Sequence, residues 1–291
     1  MKKNTRPLVC TLAAFLIATP LAACTQTDES VIAPPENSES IVAPIYPETP
    51  VAPEVPSEPD TPVVPEQPEV PSEPEPPQIL QAKYIFIRSD GLNVRIGAGT
   101  DYTSIGKAQK NTLLAYTGKS GNWYETKYKN RTAYVSADSA YTSVTLLDEG
   151  QSDVENVIEQ GLRMLGVPYV YGAVRLHDGA GNFLKGFTVK QFDCSSLMQY
   201  IFYEGAGKLL NTTTRTQVSQ GKEVAKKDIQ RGDLLFFTNA SRKDKKGIER
   251  IGHVALYLGE NYILHTASDF AKIEQISATR WSYYITARRI L

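Results

Sequence analysis

A proline at every third residue from Pro44 to Pro74, eleven in succession, forbids packed helix or sheet over that stretch. Fifteen of the chain's 18 prolines lie between Pro34 and Pro77, and only Pro168 lies beyond them. The three-residue period favours polyproline II. Residues 25–78 also carry 12 acids and no base, so like charges keep the segment extended. At 3.1 Å per residue it reaches roughly 170 Å at full stretch. Folded material therefore begins near Ile79, and a chain of 291 residues has room for up to two domains at roughly 150 residues each. The formal net charge of −1 hides a segregation. Residues 1–24 hold three bases and no acid, which leaves 28 bases and 20 acids, a net of +8, beyond residue 78. A basic body on an acidic stalk suits an anionic neighbourhood such as a charged polymer or a cell surface, and equally a plain solvated surface.

Lys2, Lys3 and Arg6 precede an apolar run from Leu8 to Ala23 that Thr11, Thr19 and Pro20 interrupt. The run is too short and too broken for a stable membrane span and reads as a secretory signal over residues 1–23. It ends in Leu21-Ala22-Ala23-Cys24, which resembles a bacterial lipobox. The resemblance implies cleavage before Cys24 and lipidation of that residue, anchoring the protein to the extracytoplasmic face of the cell membrane. Several acyl chains on one residue give a firm hold. Cleavage after Ala23 without lipidation remains open. Residues 24–78 are then a lipidated cysteine and a disordered tether.

Of three cysteines, Cys10 leaves with the signal and Cys24 is acylated, so Cys194 is the one thiol of the soluble body. No intramolecular disulfide is available. A lone thiol in an oxidising compartment is either deeply buried or reactive for a purpose.

From Ile79 to about Val144, short apolar alternations are broken by turn residues. Strand-like runs are Gly91 to Arg95, Thr112 to Tyr116, Trp123 to Tyr128 and Thr132 to Val135, with turn signals at Ser89-Asp90-Gly91, Gly118 to Gly121 and Lys129-Asn130. Short strands at close intervals predict a small all-β barrel. Gly91-Leu92-Asn93-Val94-Arg95 with Gly97, Ile105-Gly106, Gly121-Asn122-Trp123-Tyr124 and Ala133-Tyr134-Val135 together resemble a bacterial SH3-type (SH3b) domain, over residues 79–146. In such families the domain binds cell-wall peptides or packs beside a catalytic domain. Trp123, Tyr124 and Tyr134 are groove candidates, although an aromatic in a barrel is more often core.

Beyond Gly150 the pattern changes. Ser152-Asp153-Val154-Glu155 reads as a capping box, and Val154, Val157, Ile158, Gly161, Leu162 and Leu165 predict a helix over about 153–165. Phe192-Asp193-Cys194-Ser195-Ser196 opens a second helix that Gly205 is expected to end. Strand-like runs follow at Asp233 to Thr238, Ile251 to Leu258, Tyr262 to Ala267 and Tyr284 to Ile290. Two helices and then four strands predict an α+β domain with a mostly antiparallel sheet.

Placement suggests the chemistry. Cys194 falls in the first turn of its helix, where free N–H groups and the helix dipole are expected to lower a thiol pKa. His253 and His265 lie in successive strands, and His177 in a Gly-rich loop. A three-residue hairpin loop at Gly259-Glu260-Asn261 would pair 255 with 265 and 253 with 267, turning both imidazoles to one side. A thiol with two same-face imidazoles is a nucleophile, base and orienter. A Cys-His-His zinc site is the rival arrangement.

The residues here also resemble a known family. Gly166-Val167-Pro168-Tyr169-Val170-Tyr171-Gly172, Phe192-Asp193-Cys194-Ser195-Ser196, Arg231 to Phe237, Gly252 to Tyr257 and Ile263 to Ala267 follow the order of the NlpC-type, papain-like cell-wall cysteine peptidases, over residues 150–291. The resemblance implies Cys194 as nucleophile, His253 as base and His265 as orienting residue. It further implies that Tyr169, Asp193 and Ser195 recognise the free amino end of a peptidoglycan stem peptide. Asp193 has a helix-capping role as its alternative. Ala173 and Ser196 stand where the family commonly has glycine, and the loop from Ala173 to Phe192 is longer than usual.

The expected activity is D,L-endopeptidase hydrolysis of stem peptides at the D-γ-glutamyl to diamino-acid bond, by a monomer, without cofactor or metal. A catalytically inactive wall-binding lipoprotein and a cysteine-dependent acyl transferase are the alternatives. No nucleic-acid role is expected, since the chain has no basic helix or stacked aromatic platform.

Overall fold

A computed structural model describes residues 79–291. The signal, the Cys24 attachment point and the tether lie outside the described residues. The first strands are β1 (Gln81–Ile87), β2 (Leu92–Arg95), β3 (Ser104–Ala108), β4 (Thr112–Ala115), β5 (Gly118–Ser120), β6 (Trp123–Tyr128), β7 (Arg131–Ser136) and β8 (Thr142–Asp148). Five of them form one antiparallel sheet in the order β3-β2-β7-β6-β5. Val94, Ala108, Tyr128, Ala133 and Val135 are buried there, as alternation with polar neighbours requires. Trp123, Tyr124 and Tyr134 are only half-buried, so the core of this module is built from smaller residues and Tyr128 instead.

The second part begins with α1 (Ser152–Arg163) and α2 (Cys194–Ala206), then α3 (Thr214–Gln217), β9 (Lys222–Val224), β10 (Leu234–Phe237), β11 (His253–Gly259), β12 (Tyr262–Ala267), β13 (Phe270–Gln275), α4 (Ala278–Ser282) and β14 (Tyr284–Arg289). The α+β expectation holds. The predicted capping box does not form. Gln151 occupies the cap position of α1 without a side-chain bond, and Glu155 reaches back to the Gly150 N–H at 2.7 Å. Its carboxylate also takes two hydrogen bonds from Arg231, each 2.7 Å, which outcompete a local cap.

Nor does Gly205 end α2. The helix runs one residue further and closes at Gly207, whose φ of 62° is the left-handed cap conformation. Gly205 is required for a different reason: a Cβ there would run into the backbone of Asn156 and Val157, so it lets α1 and α2 approach closely.

The two parts share one sheet. β1, β4 and β8 leave the first module's strand order and join β9–β14, giving β8-β1-β4-β13-β12-β11-β10-β14-β9, with every recorded pair antiparallel. The seam is β4 against β13, with Leu113 opposite Ile273 and Thr112 opposite Glu274. The turn after β6 caps the end of α1 as well, since the Lys129 and Asn130 N–H groups donate to the carbonyls of Leu165 and Arg163, both at 2.7 Å. Tyr128 lies against Gly166, where no side chain would fit.

Both faces of the central strands are covered. Leu234, Phe236, Val254, Leu256 and Leu264 pack with α1 and α2 in one core, while Leu235, Phe237, Ala255, Ile263 and Ala287 form a second core on the other face. This explains the unbroken apolar run of β10.

Candidate active site

Cys194 is the first residue of α2, and Asp193 caps that helix reciprocally. The Asp193 carboxylate accepts from the Ser196 N–H at 2.8 Å, and the Ser196 hydroxyl accepts from the Asp193 N–H at 2.9 Å. A serine in place of glycine at 196 thus completes a capping box that positions the thiol. Ala173 is buried and avoids positive φ, which Gly172 beside it supplies at 74°.

The two histidines come together as the hairpin argument requires, but by another route. The turn itself has two residues, Glu260 and Asn261, both at positive φ, and Gly259 pairs with Tyr262. That turn alone would throw 253 and 265 out of register. A bulge between Tyr257 and Gly259 absorbs the extra residue, so Tyr257 faces Ile263 and Leu256 faces Leu264, the register of the predicted three-residue loop. His253 Nε2 then lies 3.0 Å from His265 Nδ1. This contact turns one ring nitrogen of each histidine toward the other, whereas a zinc site needs its ligand atoms to converge on a single point.

Glu274 on β13 completes a relay, with Oε1 3.1 Å from His265 Nε2. Burial opposes the charge on Glu274. The hydrogen bond from His265 and the charges of Lys272 and Arg280 outweigh it and hold the carboxyl at about 2. An ionised Glu274 can only accept, so His265 carries its proton on Nε2 and offers the Nδ1 lone pair to His253. His253 in turn carries its proton on Nε2, which leaves Nδ1 as the free base. Burial, His265 and Arg280 push the pKa of His253 well below its ordinary value, so the ring rests neutral.

Sequence reasoning missed Glu274 because β13 was not predicted. The signal was present: Ala271 and Ile273 are buried and alternate with Phe270, Lys272 and Glu274.

The thiol corrects another expectation. Burial, followed by the charge of Asp193, pushes Cys194 up to about 12 despite opposing hydrogen bonds from the backbone of Val254, Ser195 and Cys194 itself. Desolvation at a 9% exposed site outweighs the helix terminus, so the pair rests as thiol and neutral imidazole. Cys194 and His253 line one arm of a cleft, about 430 Å³, together with Arg280 and Tyr283. A second arm of about 470 Å³ passes Tyr171, Arg175, Asp193 and Ser195, and the two arms share Tyr169, Cys194, Asn239 and Gly252. Another concavity of about 450 Å³, beside Arg231 and Arg289, shares no residue with either arm.

His177 plays no part in the cleft. It is buried in the long loop, where its Nδ1 accepts from the Gly179 N–H at 3.0 Å and its ring lies against Tyr203.

With Cys194 as nucleophile and His253 as base, Glu274→Gln would lower kcat by about 10- to 100-fold, because the carboxylate would stabilise the imidazolium formed as His253 takes the thiol proton. Glu274 also raises the pKa of His253, so the acid limb of the kcat/KM profile should move to lower pH in the variant. A pH–rate series checks both, and an unmoved limb would separate Glu274 from the relay.

Comparison with known proteins agrees with the motifs. Residues 166–289 match the NlpC/P60 family model, and residues 90–143 match the bacterial SH3 domain model. Peptidoglycan endopeptidase RipA of Mycolicibacterium smegmatis is 30% identical over 140 residues, covering 47% of this chain and 26% of RipA. The gamma-D-glutamyl-L-lysine dipeptidyl-peptidase of Bacillus subtilis is 30% identical over 137 residues, covering 47% of this chain and 40% of that protein. A crystal structure of an NlpC/P60 family protein from Bacillus cereus aligns at 20% identity with a TM-score of 0.39, covering 72% of this chain and 64% of that one. The chain thus spans less than half the length of these two curated relatives. It pairs a bacterial SH3 domain with a domain of the NlpC/P60 family.

Proposed function

We propose that this protein is a peptidoglycan D,L-endopeptidase that hydrolyses the D-γ-glutamyl to diamino-acid amide of stem peptides through Cys194. The observation that carries this reading is the thiol at a helix start, in one cleft arm with an imidazole whose tautomer is set by His265 and Glu274. The names of relatives support the bond, one being a gamma-D-glutamyl-L-lysine dipeptidyl-peptidase and another a peptidoglycan DL-endopeptidase.

In the first step the Cys194 proton passes to His253 Nδ1 as sulfur attacks the carbonyl carbon, and the Cys194 backbone N–H stabilises the oxyanion. Collapse breaks the C–N bond, the leaving amine takes the proton from His253, and a thioester remains. Water, deprotonated by His253, then releases the acid and restores the thiol. Tyr169, Asp193 and Ser195 shape the substrate cleft.

Mass spectrometry of defined muropeptides after digestion tests the reading, and the expected fragments are split after D-γ-glutamate. Intact muropeptides that nonetheless bind the protein would favour the wall-binding alternative.

The wider arrangement belongs to the same proposal: a monomer with an SH3-type module over 79–146, a peptidase module over 150–291, and a lipid anchor at Cys24 on the outer face of the membrane. Cys24→Ser is expected to move the protein from the membrane fraction to the soluble fraction, read by immunoblot after fractionation. Unchanged membrane association would rule out the anchor.

A further inference from the structure

The reaction chemistry orients a substrate in the two cleft arms. His253 gives its proton to the leaving amine, so the leaving half of the substrate lies in the arm that His253 lines. The acyl half, which carries the substrate's amino terminus, extends into the arm past Tyr171 and Arg175. Among the described residues lining that arm, Asp193 is the one carboxylate, set against the guanidinium groups of Arg175, Arg215 and Arg242. Arg215 and Arg242 share Glu249, at 3.4 and 3.2 Å, which leaves the arm with an excess of positive charge.

Asp193 has no acceptor to spare. Oδ1 takes the Ser196 N–H at 2.8 Å and the Ser195 hydroxyl at 3.1 Å, and Oδ2 takes the Gly172 N–H at 3.2 Å and Arg175 Nη2 at 2.8 Å. A carboxylate offers about four lone-pair sites, and all are filled. Arg175 is itself fixed, since Nε donates to the Thr212 carbonyl at 2.9 Å and Nη1 to the Ala173 carbonyl at 2.6 Å. Its side chain is 19% exposed and that of Asp193 5%, so the pair sits where solvent screens it weakly. An ammonium group arriving here meets a held cation in the place where it needs a free anion.

We infer that this arm receives an N-acylated peptide end and rejects a free amino terminus, with Arg175 as the specificity-determining residue. The inference rests on the stem-peptide hydrolase reading. A stem peptide still amide-linked to its glycan has no ammonium at that end, whereas a trimmed one does. The enzyme would then act on stems attached to the wall.

The test uses the full-length protein and L-Ala-γ-D-Glu-L-Lys-D-Ala, its N-acetyl form, and the same pair with diaminopimelate in place of lysine. Wild type is expected to cleave the acetylated member with a kcat/KM roughly tenfold or more above the free amine, because like charges repel in a weakly screened site. Arg175→Gln frees Asp193 for an ammonium and should bring the ratio to about one or below, while Arg175→Lys keeps the cation and the wild-type preference. A loss of structure in Arg175→Gln would lower both rates without moving the ratio. A wild-type preference for the free amine, or a ratio unchanged in an Arg175→Gln protein that keeps the wild-type melting temperature, overturns the inference. Calorimetry with Cys194→Ala separates the two readings. Binding both forms equally overturns the selectivity alone, whereas neither binding nor cleavage of any of the four peptides overturns the hydrolase reading with it.

Discussion

Cys194→Ala is expected to reduce muropeptide cleavage by at least about 10⁴-fold, because no other group can form the thioester that divides the reaction into two steps. The fold should survive the change. Cys194 is small, and its helix is held by Asp193 and Ser196, so thermal unfolding should stay close to wild type. His253→Ala should cost about as much, since a thiol pushed up to about 12 yields almost no thiolate at neutral pH without a base. The two losses should not add, because the residues act as one unit. Rates from single-turnover digestion, with unfolding curves alongside, check this. Retention of wild-type rate by Cys194→Ala would overturn the thiol mechanism.

Removing residues 79–149 is expected to destabilise what remains by about 5 kcal/mol or more, a loss of roughly 10–20 °C in melting temperature for a unit of this size. The cut exposes β13 along its β4 seam and strips the Lys129 and Asn130 donors from the end of α1. It also removes Tyr84, Leu113 and Leu147 from a core they share with Val154 and Ile158. Arg231 loses the Tyr84 hydroxyl, which it contacts at 2.9 Å. Activity should fall further than stability, since Glu274 lies on the exposed strand, and Lys272, 3.5 Å from its carboxylate, loses the Gln109 side chain at 3.1 Å. Unfolding curves and rates for the shortened protein decide the matter. A fragment as stable and active as the whole would make the SH3-type module an independent attachment.

Much of this was legible in the residues because local rules govern it. Proline spacing pointed to folded material from about Ile79, and β1 starts at Gln81. The apolar periods of α1 and α2 located both helices, with β11 and β12 marked by their apolar runs, and the place of Cys194 at a helix start followed from them. Local rules failed where two distant segments compete for the same group. Glu155 looked like a capping residue, but Arg231, 76 positions away, claims it. Gly205 looked like a stop, although its work is to admit the neighbouring helix.

By itself, then, the sequence placed Cys194 at a helix start and His253 and His265 in successive strands, in the order of elements that presents them, because each depends on side-chain type and on spacing within one element or one hairpin. Tertiary structure alone decided the rest. The bulge at Tyr257–Gly259 brought His253 onto His265, β13 supplied Glu274, and burial raised a thiol that the helix terminus was expected to acidify. Arg175 on Asp193 belongs with these, as do the strands of the first module that continue the second module's sheet. Hydrogen-bond partners, desolvation and edge pairing depend on which remote surfaces meet, and no local window of the chain carries that information.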